Sequence, residues 1–489
     1  MKANKLSRIA SLSIALVLFN VIPVFAAEEG LHHHNLGEYL PFWSVLPFVG
    51  MLLSIAIIPL VNSEFWEHHM AKIALLWSLA FLIPFGIAFG GNIFIYSLLE
   101  IILLDYFPFI VLISGLFAVT GGIILRGSLV GTPKTNLILI SVGTLLASWI
   151  GTTGAAMLML RPVIRANKWR EKKAHIIIFF IFLVANIGGC LTPIGDPPLF
   201  LGFLRGVPFF WTMRLFPLLV FNAGILLVIL FILDTHYYKK ELVAGRSPDD
   251  VVKLESPTPI RLEGGHNFIF IGMIIIGVLL NGLLPNLEAF ADQVTGDVYG
   301  IPIYDGMVFG YNGVVQIVII LLAAFLSVKT TKKSIREDNF FTWGPIKEVG
   351  TLFAGIFITM IPALAILHSN GESLGLVSPA HFFWATGALS SFLDNAPTYL
   401  VFMTTAGSLG AADGLVTAAG TIAPKLLVAV SAGAVFMGAN TYIGNAPNFM
   451  VRSVAEENHV KMPSFFGYMV WSVIFLVPLF VINTLIFFK

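Results

Sequence analysis

The 489-residue chain is 57% hydrophobic and only 11% charged, whereas an average soluble domain has about 25% charged residues. Its net charge of +1 and the lack of a long basic run argue against nucleic acid as a partner. The single cysteine, Cys190, excludes an internal disulfide framework and a multi-cysteine metal site. The composition therefore indicates a protein whose main partner is the lipid bilayer.

Residues 1–27 have the features of a signal peptide. Three basic residues within the first eight precede an apolar stretch that ends at Phe25, and Ala26-Ala27 supply the small residues of a cleavage site. Cleavage would leave the mature N-terminus outside the cytoplasm. The protein is expected to be a multi-pass protein of the bacterial inner membrane. The alternative is that this segment is retained as a first transmembrane helix.

Ten later segments are long and apolar enough to cross a bilayer, which takes about 20 residues. They are 42–61, 71–91, 106–125, 174–204, 215–234, 267–285, 308–328, 348–367, 425–451 and 464–488. The predicted fold is thus an all-α polytopic membrane protein with about ten transmembrane helices.

Two further apolar stretches, 134–164 and 379–408, are interrupted at their centres by small, polar or proline residues. The interruptions are Trp149-Ile150-Gly151-Thr152-Thr153-Gly154 and Leu393-Asp394-Asn395-Ala396-Pro397-Thr398. Each half is too short to cross a membrane by itself, so both stretches are predicted to be re-entrant hairpins. Such a tip is tolerated only where protein or a water-filled cavity covers its backbone.

The charges of the loops support this arrangement. A chain that starts outside and crosses the membrane at each predicted span places 161–173, 235–266 and 329–347 in the cytoplasm, and Lys and Arg are concentrated in these three segments. The segment 286–307, which is placed outside, has acidic residues and neither Lys nor Arg. This distribution follows the positive-inside rule. It also predicts that the first hairpin opens to the cytoplasm and the second to the outside, as an inverted duplication requires.

The two halves of the chain also share a sequence pattern. Thr192-Pro193-Ile194-Gly195-Asp196-Pro197 resembles Thr441-Tyr442-Ile443-Gly444-Asn445-Ala446, 249 positions later, and the hairpin tips align with an offset of 243. We therefore predict two inverted repeats, 28–235 and 267–489, joined by a cytoplasmic loop at 236–266. Each repeat contains one hairpin and one broken helix, at 174–204 and 425–451.

The Gly- and Pro-rich breaks point to a transport site, since an unwound helix exposes carbonyl oxygens to cations and helix N-termini to anions. A buried carboxylate there can hold either a proton or a cation, because burial disfavours its charged form and a nearby cation favours it. The candidate ion- or substrate-binding residues are Asp394, Asn395, Thr398, Ser391, Asp196, Gly195, Thr192, Thr152, Thr153, Asn440, Thr441, Gly444 and Asn445. A Na⁺ ion is expected at Asp394, Asn395 and Asn445, and no cofactor is expected besides Na⁺ or H⁺ as coupling ions.

The second tip, Leu393-Asp394-Asn395-Ala396-Pro397-Thr398, and the second break, Asn440 to Asn448, resemble the ion-transporter superfamily. Its members include NhaD-type Na⁺/H⁺ antiporters, citrate and dicarboxylate transporters and arsenite carriers. The resemblance implies a homodimer of scaffold domains with transport domains that move as elevators. NhaD-type proteins often carry an Asp-Asn pair in the first hairpin, where this chain has Gly151-Thr152.

Three functions are compatible with these features. The first is a Na⁺(Li⁺)/H⁺ antiporter, because Asp394 and Asp196 would repel an anionic substrate unless a cation neutralised them. The alternative is Na⁺- or H⁺-coupled transport of citrate, a dicarboxylate or another organic anion. A proton-translocating subunit of a membrane complex is the third. No nucleotide loop, nucleophile elbow or metal-ligand spacing points to an enzyme.

Overall fold

The computed structural model describes residues 36–246, 259–339 and 341–489. The predicted signal peptide lies outside the described residues, as do several residues of the 236–266 loop. The all-α polytopic fold predicted from the sequence is confirmed: eight described helices are long and apolar enough to cross a membrane. Three two-stranded antiparallel sheets connect helix ends, and none forms a closed barrel.

Nine α-helices lie in the described residues of the first half of the chain, 36–246. They are α1 (Leu36–Tyr39), α2 (Leu46–Val61), α3 (Ser63–Glu100), α4 (Phe107–Thr120), α5 (Pro133–Ile150), α6 (Thr152–Ala166), α7 (Ala174–Leu183), α8 (Pro197–Leu204) and α9 (Phe216–Val243). Helix α9 continues beyond residue 235, where the first repeat was predicted to end, because its apolar stretch passes directly into a charged final turn.

Nine more lie in the described residues of the second half, 259–339 and 341–489. They are α10 (Asn267–Leu283), α11 (Tyr311–Thr330), α12 (Lys333–Asp338), α13 (Gly344–Asn370), α14 (Pro379–Ser390), α15 (Asn395–Ser408), α16 (Pro424–Met437), α17 (Ala446–Glu457) and α18 (Phe465–Phe487). The strands are β1 (Ile124–Arg126), β2 (Arg261–Glu263), β3 (Gly300–Tyr304), β4 (Met307–Gly310), β5 (Leu415–Thr417) and β6 (Gly420–Ile422), paired in that order.

The predicted span 71–91 and most of the predicted span 106–125 lie within one continuous helical run in the structure, Glu64–Thr120. Gly90 interrupts α3 with φ 76° and ψ 175°, a conformation that glycine adopts without a steric penalty. The rings of Phe85 and Phe94 are 6.3 Å apart, whereas nine residues of straight helix would separate them by about 13.5 Å. The chain therefore reverses at Gly90, and the run of 57 residues makes two passes.

The helices pack into two groups. Helices α2–α4 and α10–α13 form the first helix group, and the second comprises α5–α9 and α14–α18, with contacts between them mainly through α13 on α15 and α4 on α6. The span Ala174–Leu191 is 94% buried within the protein, whereas Asn267–Asn286 is only 22% buried. The first broken helix is thus covered by protein, as it must be because its break leaves backbone groups without helical partners. In contrast, α10 presents its apolar surface to lipid.

Both predicted hairpins correspond to pairs of short helices with an interruption at the predicted tip. Helices α5 and α6 meet at Gly151 (φ 81°), and α14 and α15 meet at residues 391–394. Helices α7 and α8 are separated by a 3₁₀ turn, Ile187–Leu191, and irregular residues up to Asp196. Helices α16 and α17 are separated likewise, by Gly438–Asn440 and the residues up to Asn445.

Candidate transport site

Four helices begin at one place in the second helix group. Thr152 is the first residue of α6 and Asn395 the first of α15, while Asp196 and Asn445 are the N-caps of α8 and α17. Each of these four side chains is about 1% exposed. Two hairpin tips and two helix breaks thus meet at a single buried cluster, which we call the central cluster.

Asp196 is the hub of the central cluster. Its Oδ2 accepts a hydrogen bond from Asn395 Nδ2 at 2.6 Å, and its Oδ1 accepts from Thr152 Oγ1 and Asn445 Nδ2, both at 3.1 Å. All three donors are neutral. No described basic side chain is ion-paired with Asp196, so its charge depends on these donors and on whatever ion approaches it.

A chain of buried amides extends from the hub. Asn445 Nδ2 also lies 3.2 Å from Asn186 Oδ1, and Asn186 Nδ2 donates to Asn448 Oδ1 at 2.7 Å. Asn448 Nδ2 in turn donates to the carbonyls of Gly438 and Thr441, at 2.8 and 2.9 Å. These side chains therefore satisfy carbonyl oxygens that the second break leaves without helical partners.

Equivalent contacts in the two repeats hold each hairpin tip to its helix break. The Thr192 hydroxyl donates to the Ser148 carbonyl, and the Thr441 hydroxyl donates to the Ser391 carbonyl. Ile194 N and Ile443 N then donate to these hydroxyls, both at 3.2 Å. The pairs have the sequence offsets of 249 and 243 found for the repeat.

Gly195 and Gly444 are required for close packing. A Cβ on Gly195 would collide with the Gly189 carbonyl oxygen, and one on Gly444 would lie 2.5 Å from that of Gly438. Neither glycine has a positive φ, so the close approach of the backbone, and not the conformational freedom of glycine, is the constraint at both positions. The non-helical backbone segments pass so closely here that no side chain fits between them.

Comparison with known proteins identifies the family. Residues 37–488 match the model of a family described as "Putative citrate transport". The chain belongs to this family. No curated protein matches the chain significantly. The match covers nearly all the described residues, and it is consistent with a citrate-transporter-like member of the ion-transporter superfamily, a transporter rather than an enzyme.

The structure gives Asp394 a different environment from Asp196. Asp394 is half-buried and is the N-cap of α15, with its Oδ1 accepting from Ala396 N at 3.0 Å. Its carbonyl accepts from Thr398 Oγ1 at 2.9 Å. Thr398 thus stabilises the first turn of α15, and Thr153 lies half-buried in the first turn of α6. Neither threonine has a described hydrogen bond to Asp196.

Ser391 and Asn440 belong to the second tip and break. The Ser391 hydroxyl donates to the carbonyl of Gly387 at 2.7 Å or Met437 at 3.1 Å, and it accepts from Asn440 Nδ2 at 2.9 Å. Asn440 Oδ1 and Asn395 Oδ1 are buried acceptors without a hydrogen-bond partner. These orphan oxygens are available to a cation, which prefers oxygen ligands.

Among the described residues, no three His, Cys, Asp or Glu side chains are grouped so as to hold a metal ion. The predicted Na⁺ ligands Asn395 and Asn445 both contact Asp196, whereas Asp394 caps α15 beside them. Asn186 and Asn448 were not among the predicted site residues. Asn448 is the last residue of the Asn440–Asn448 motif, so its place in that motif was the available signal.

Proposed function

We propose that this member of the citrate-transport family is a secondary transporter of citrate or a related organic anion, driven by H⁺ or Na⁺. The observation that carries the proposal is the meeting of four helix N-termini at Asp196. Each N-terminus is equivalent to about +0.5 charge, so four supply roughly two positive charges. They offset the carboxylates of Asp196 and Asp394, whose repulsion of an anion was the sequence argument against this function.

The same arrangement provides a route to coupling. With Asp196 charged, the site is close to neutral and binds an anion weakly. A proton or Na⁺ bound to Asp196 would neutralise its carboxylate and leave the positive charge of the helix N-termini in excess. An anion would then bind more strongly. Asn395 supports cation binding, because its buried Oδ1 has no partner while its Nδ2 holds Asp196.

The two helix groups suggest how the site could change sides. The central cluster lies entirely within the second helix group, so this group can carry the cluster as one body past the first. This arrangement supports an elevator-type mechanism in the bacterial inner membrane, with the first helix group as the scaffold of a homodimer.

A second candidate is Na⁺/H⁺ antiport without an organic anion. The observation in its favour is that the described hydrogen bonds to Asp196 come only from neutral donors, as a site exchanging a proton for a cation requires. The two functions differ in what must be added outside: antiport needs only Na⁺, whereas symport needs the anion.

Reconstituted proteoliposomes with an internal pH dye test both. We expect uptake of labelled citrate or succinate that depends on an imposed H⁺ or Na⁺ gradient and is lost in Asp196→Asn. Thr235→Val is a matched control, because Thr235 lies on α9 and its hydroxyl donates only to its own helix, at Phe231.

Internal alkalinisation on adding Na⁺ alone, with no uptake of any anion tested, would identify an antiporter instead. Gradient-driven uptake that survives in Asp196→Asn would refute the role given to this carboxylate while leaving the transported class intact.

A further inference from the structure

A polar cavity lies away from the central cluster, at the boundary between the two helix groups. It has a volume of about 200 Å³, enough for several water molecules. Asp105, Arg205, Ser97 and Thr404 are among its lining residues, as are Glu100 and His368, which are exposed. We call it the Arg205 cavity.

Asp105 fixes the position of Arg205 in this cavity. Asp105 Oδ2 lies 2.5 Å from Arg205 Nη2, and the two side chains are only 9% and 18% exposed. Asp105 belongs to a π-helix, Ile101–Tyr106, between α3 and α4. Such irregular turns are frequent at functional sites, and this one brings a carboxylate into a position buried within the protein.

Two of the residues that line the cavity have a hydrogen-bonding atom without a partner. Arg205 Nε and Thr404 Oγ1 are buried and have no hydrogen-bond partner, and Thr404 is only 3% exposed. Buried donors without acceptors are rare in proteins. The guanidinium has five N–H groups in a planar fork, and the bond from Nη2 to Asp105 leaves its other N–H groups for a second carboxylate.

The cavity is joined to the central cluster by two helices. Asp196 and Arg205 lie at opposite ends of α8, and Asn395 and Thr404 both lie on α15. Nine residues separate each pair, which is about 13.5 Å along a helix. The cavity thus lies about 13.5 Å from the central cluster, measured along either helix. It lies on the side of the membrane that the sequence predicts to be outside the cytoplasm.

We propose that the Arg205 cavity binds a carboxylate group of the organic anion before it reaches the central cluster, with Arg205 and Thr404 as the donors. Asp105 is the positioning residue that holds the guanidinium and compensates its charge when no anion is bound. This inference rests on the proposed function, because it takes the substrate to be a carboxylate.

The concentration dependence of citrate uptake by proteoliposomes containing the full chain tests the proposal. Arg205→Gln should raise KM about tenfold or more, the loss expected for a charge-assisted hydrogen bond, with a smaller change in kcat. Arg205→Lys keeps a charge for Asp105 but lacks Nε, so it should also raise KM. Thr404→Val should raise KM by a smaller factor.

Arg214→Gln is the matched control, because Arg214 is exposed and lies outside the cavity lining. It should keep the wild-type KM. The exchange Asp105→Arg with Arg205→Asp separates binding from structure. If the ion pair merely joins the helix groups, the exchanged pair restores the wild-type KM and the proposal is overturned.

The outcomes also separate this inference from the proposed function. Wild-type uptake of citrate with a KM that is indifferent to both Arg205 variants would overturn the cavity and leave the transporter assignment standing. A wild-type protein that moves no organic anion would overturn both. If Arg205→Gln does not fold, Arg205→Lys and Thr404→Val carry the test.

Discussion

The two halves of the molecule build the same backbone around the central cluster but place different side chains on it. At the hairpin tips, Thr152 in the first half occupies the position of Asn395 in the second. At the breaks, Asp196 occupies the position of Asn445. The first half therefore contributes a hydroxyl and a carboxylate, whereas the second contributes two amides that both donate to that carboxylate.

This difference shows how the repeat divides its tasks. Thr192 and Thr441 perform the same structural role in each half, and so do Gly195 and Gly444. At the four positions of the central cluster, however, only the first half carries a charge, at Asp196, while Asp394 of the second half caps α15 beside them. A second carboxylate at Asn445 would sit within hydrogen-bonding distance of Asp196, where two like charges cannot both remain ionised. The duplicated frame thus supports an asymmetric site.

The largest effect should come from removing the charge from the first half. Asp196→Asn keeps the size of the side chain but leaves no ionisable group at the hub, so coupled uptake should fall by about 100-fold or more, to background. Gradient-driven citrate uptake measures this, with size-exclusion profiles to confirm folding.

The double variant Asp196→Asn/Asn445→Asp sharpens the comparison. It moves the carboxylate to the equivalent position in the other half and should recover part of the uptake. A complete failure of the exchanged pair, with correct folding, would show that the site needs the charge in the first half specifically.

Gly195→Ala and Gly444→Ala should both destabilise the protein, by about 1–3 kcal/mol each. Gly195→Ala should be the more severe, because its Cβ meets a carbonyl more closely than that of Gly444. Thermal unfolding in detergent measures the order. Gly224→Ala is the control, since a Cβ there has open space. Equal stability of all three variants would contradict the close approach at both breaks.

Thr192→Val and Thr441→Val should cost about 1–3 kcal/mol each, because each removes a hydroxyl that accepts from a backbone N–H of the break as well as donating to a tip carbonyl, and so leaves buried groups unpaired. Both hydroxyls bind a hairpin-tip carbonyl, so the two losses should be similar in unfolding measurements. A large difference between them would show that the halves are not structurally equivalent at the tips.

The smallest effect is expected for Asp394→Asn. Asparagine caps a helix as well as aspartate does, so the hydrogen bond to Ala396 N can be kept. Uptake and its dependence on the ion gradient should stay within a few-fold of wild type if Asp196 is the working carboxylate. Loss of coupling in well-folded Asp394→Asn would instead transfer that role to Asp394, as the sequence suggested.

Sequence alone determined the class of fold and the segments that matter. A low charge content and long apolar stretches require a membrane as solvent, and Gly and Pro at the centre of such stretches mark irregular backbone. These signals are local in the chain. For the same reason the sequence could identify Asn395, Asn445, Thr152 and Asp196 as candidates without showing that they touch.

Only the tertiary structure decided which carboxylate is the hub. Asp394 and Asp196 look alike in sequence, each beside a proline-containing break. Residues 196 and 395, which are hydrogen-bonded, are 199 positions apart in the chain. The periodicity of apolar residues in a sequence predicts local helices and does not predict contacts between such distant residues. The convergence of four helix N-termini, which reverses the electrostatic argument against an anion, and the pairing of Asp105 with Arg205 likewise arise only when distant segments pack together.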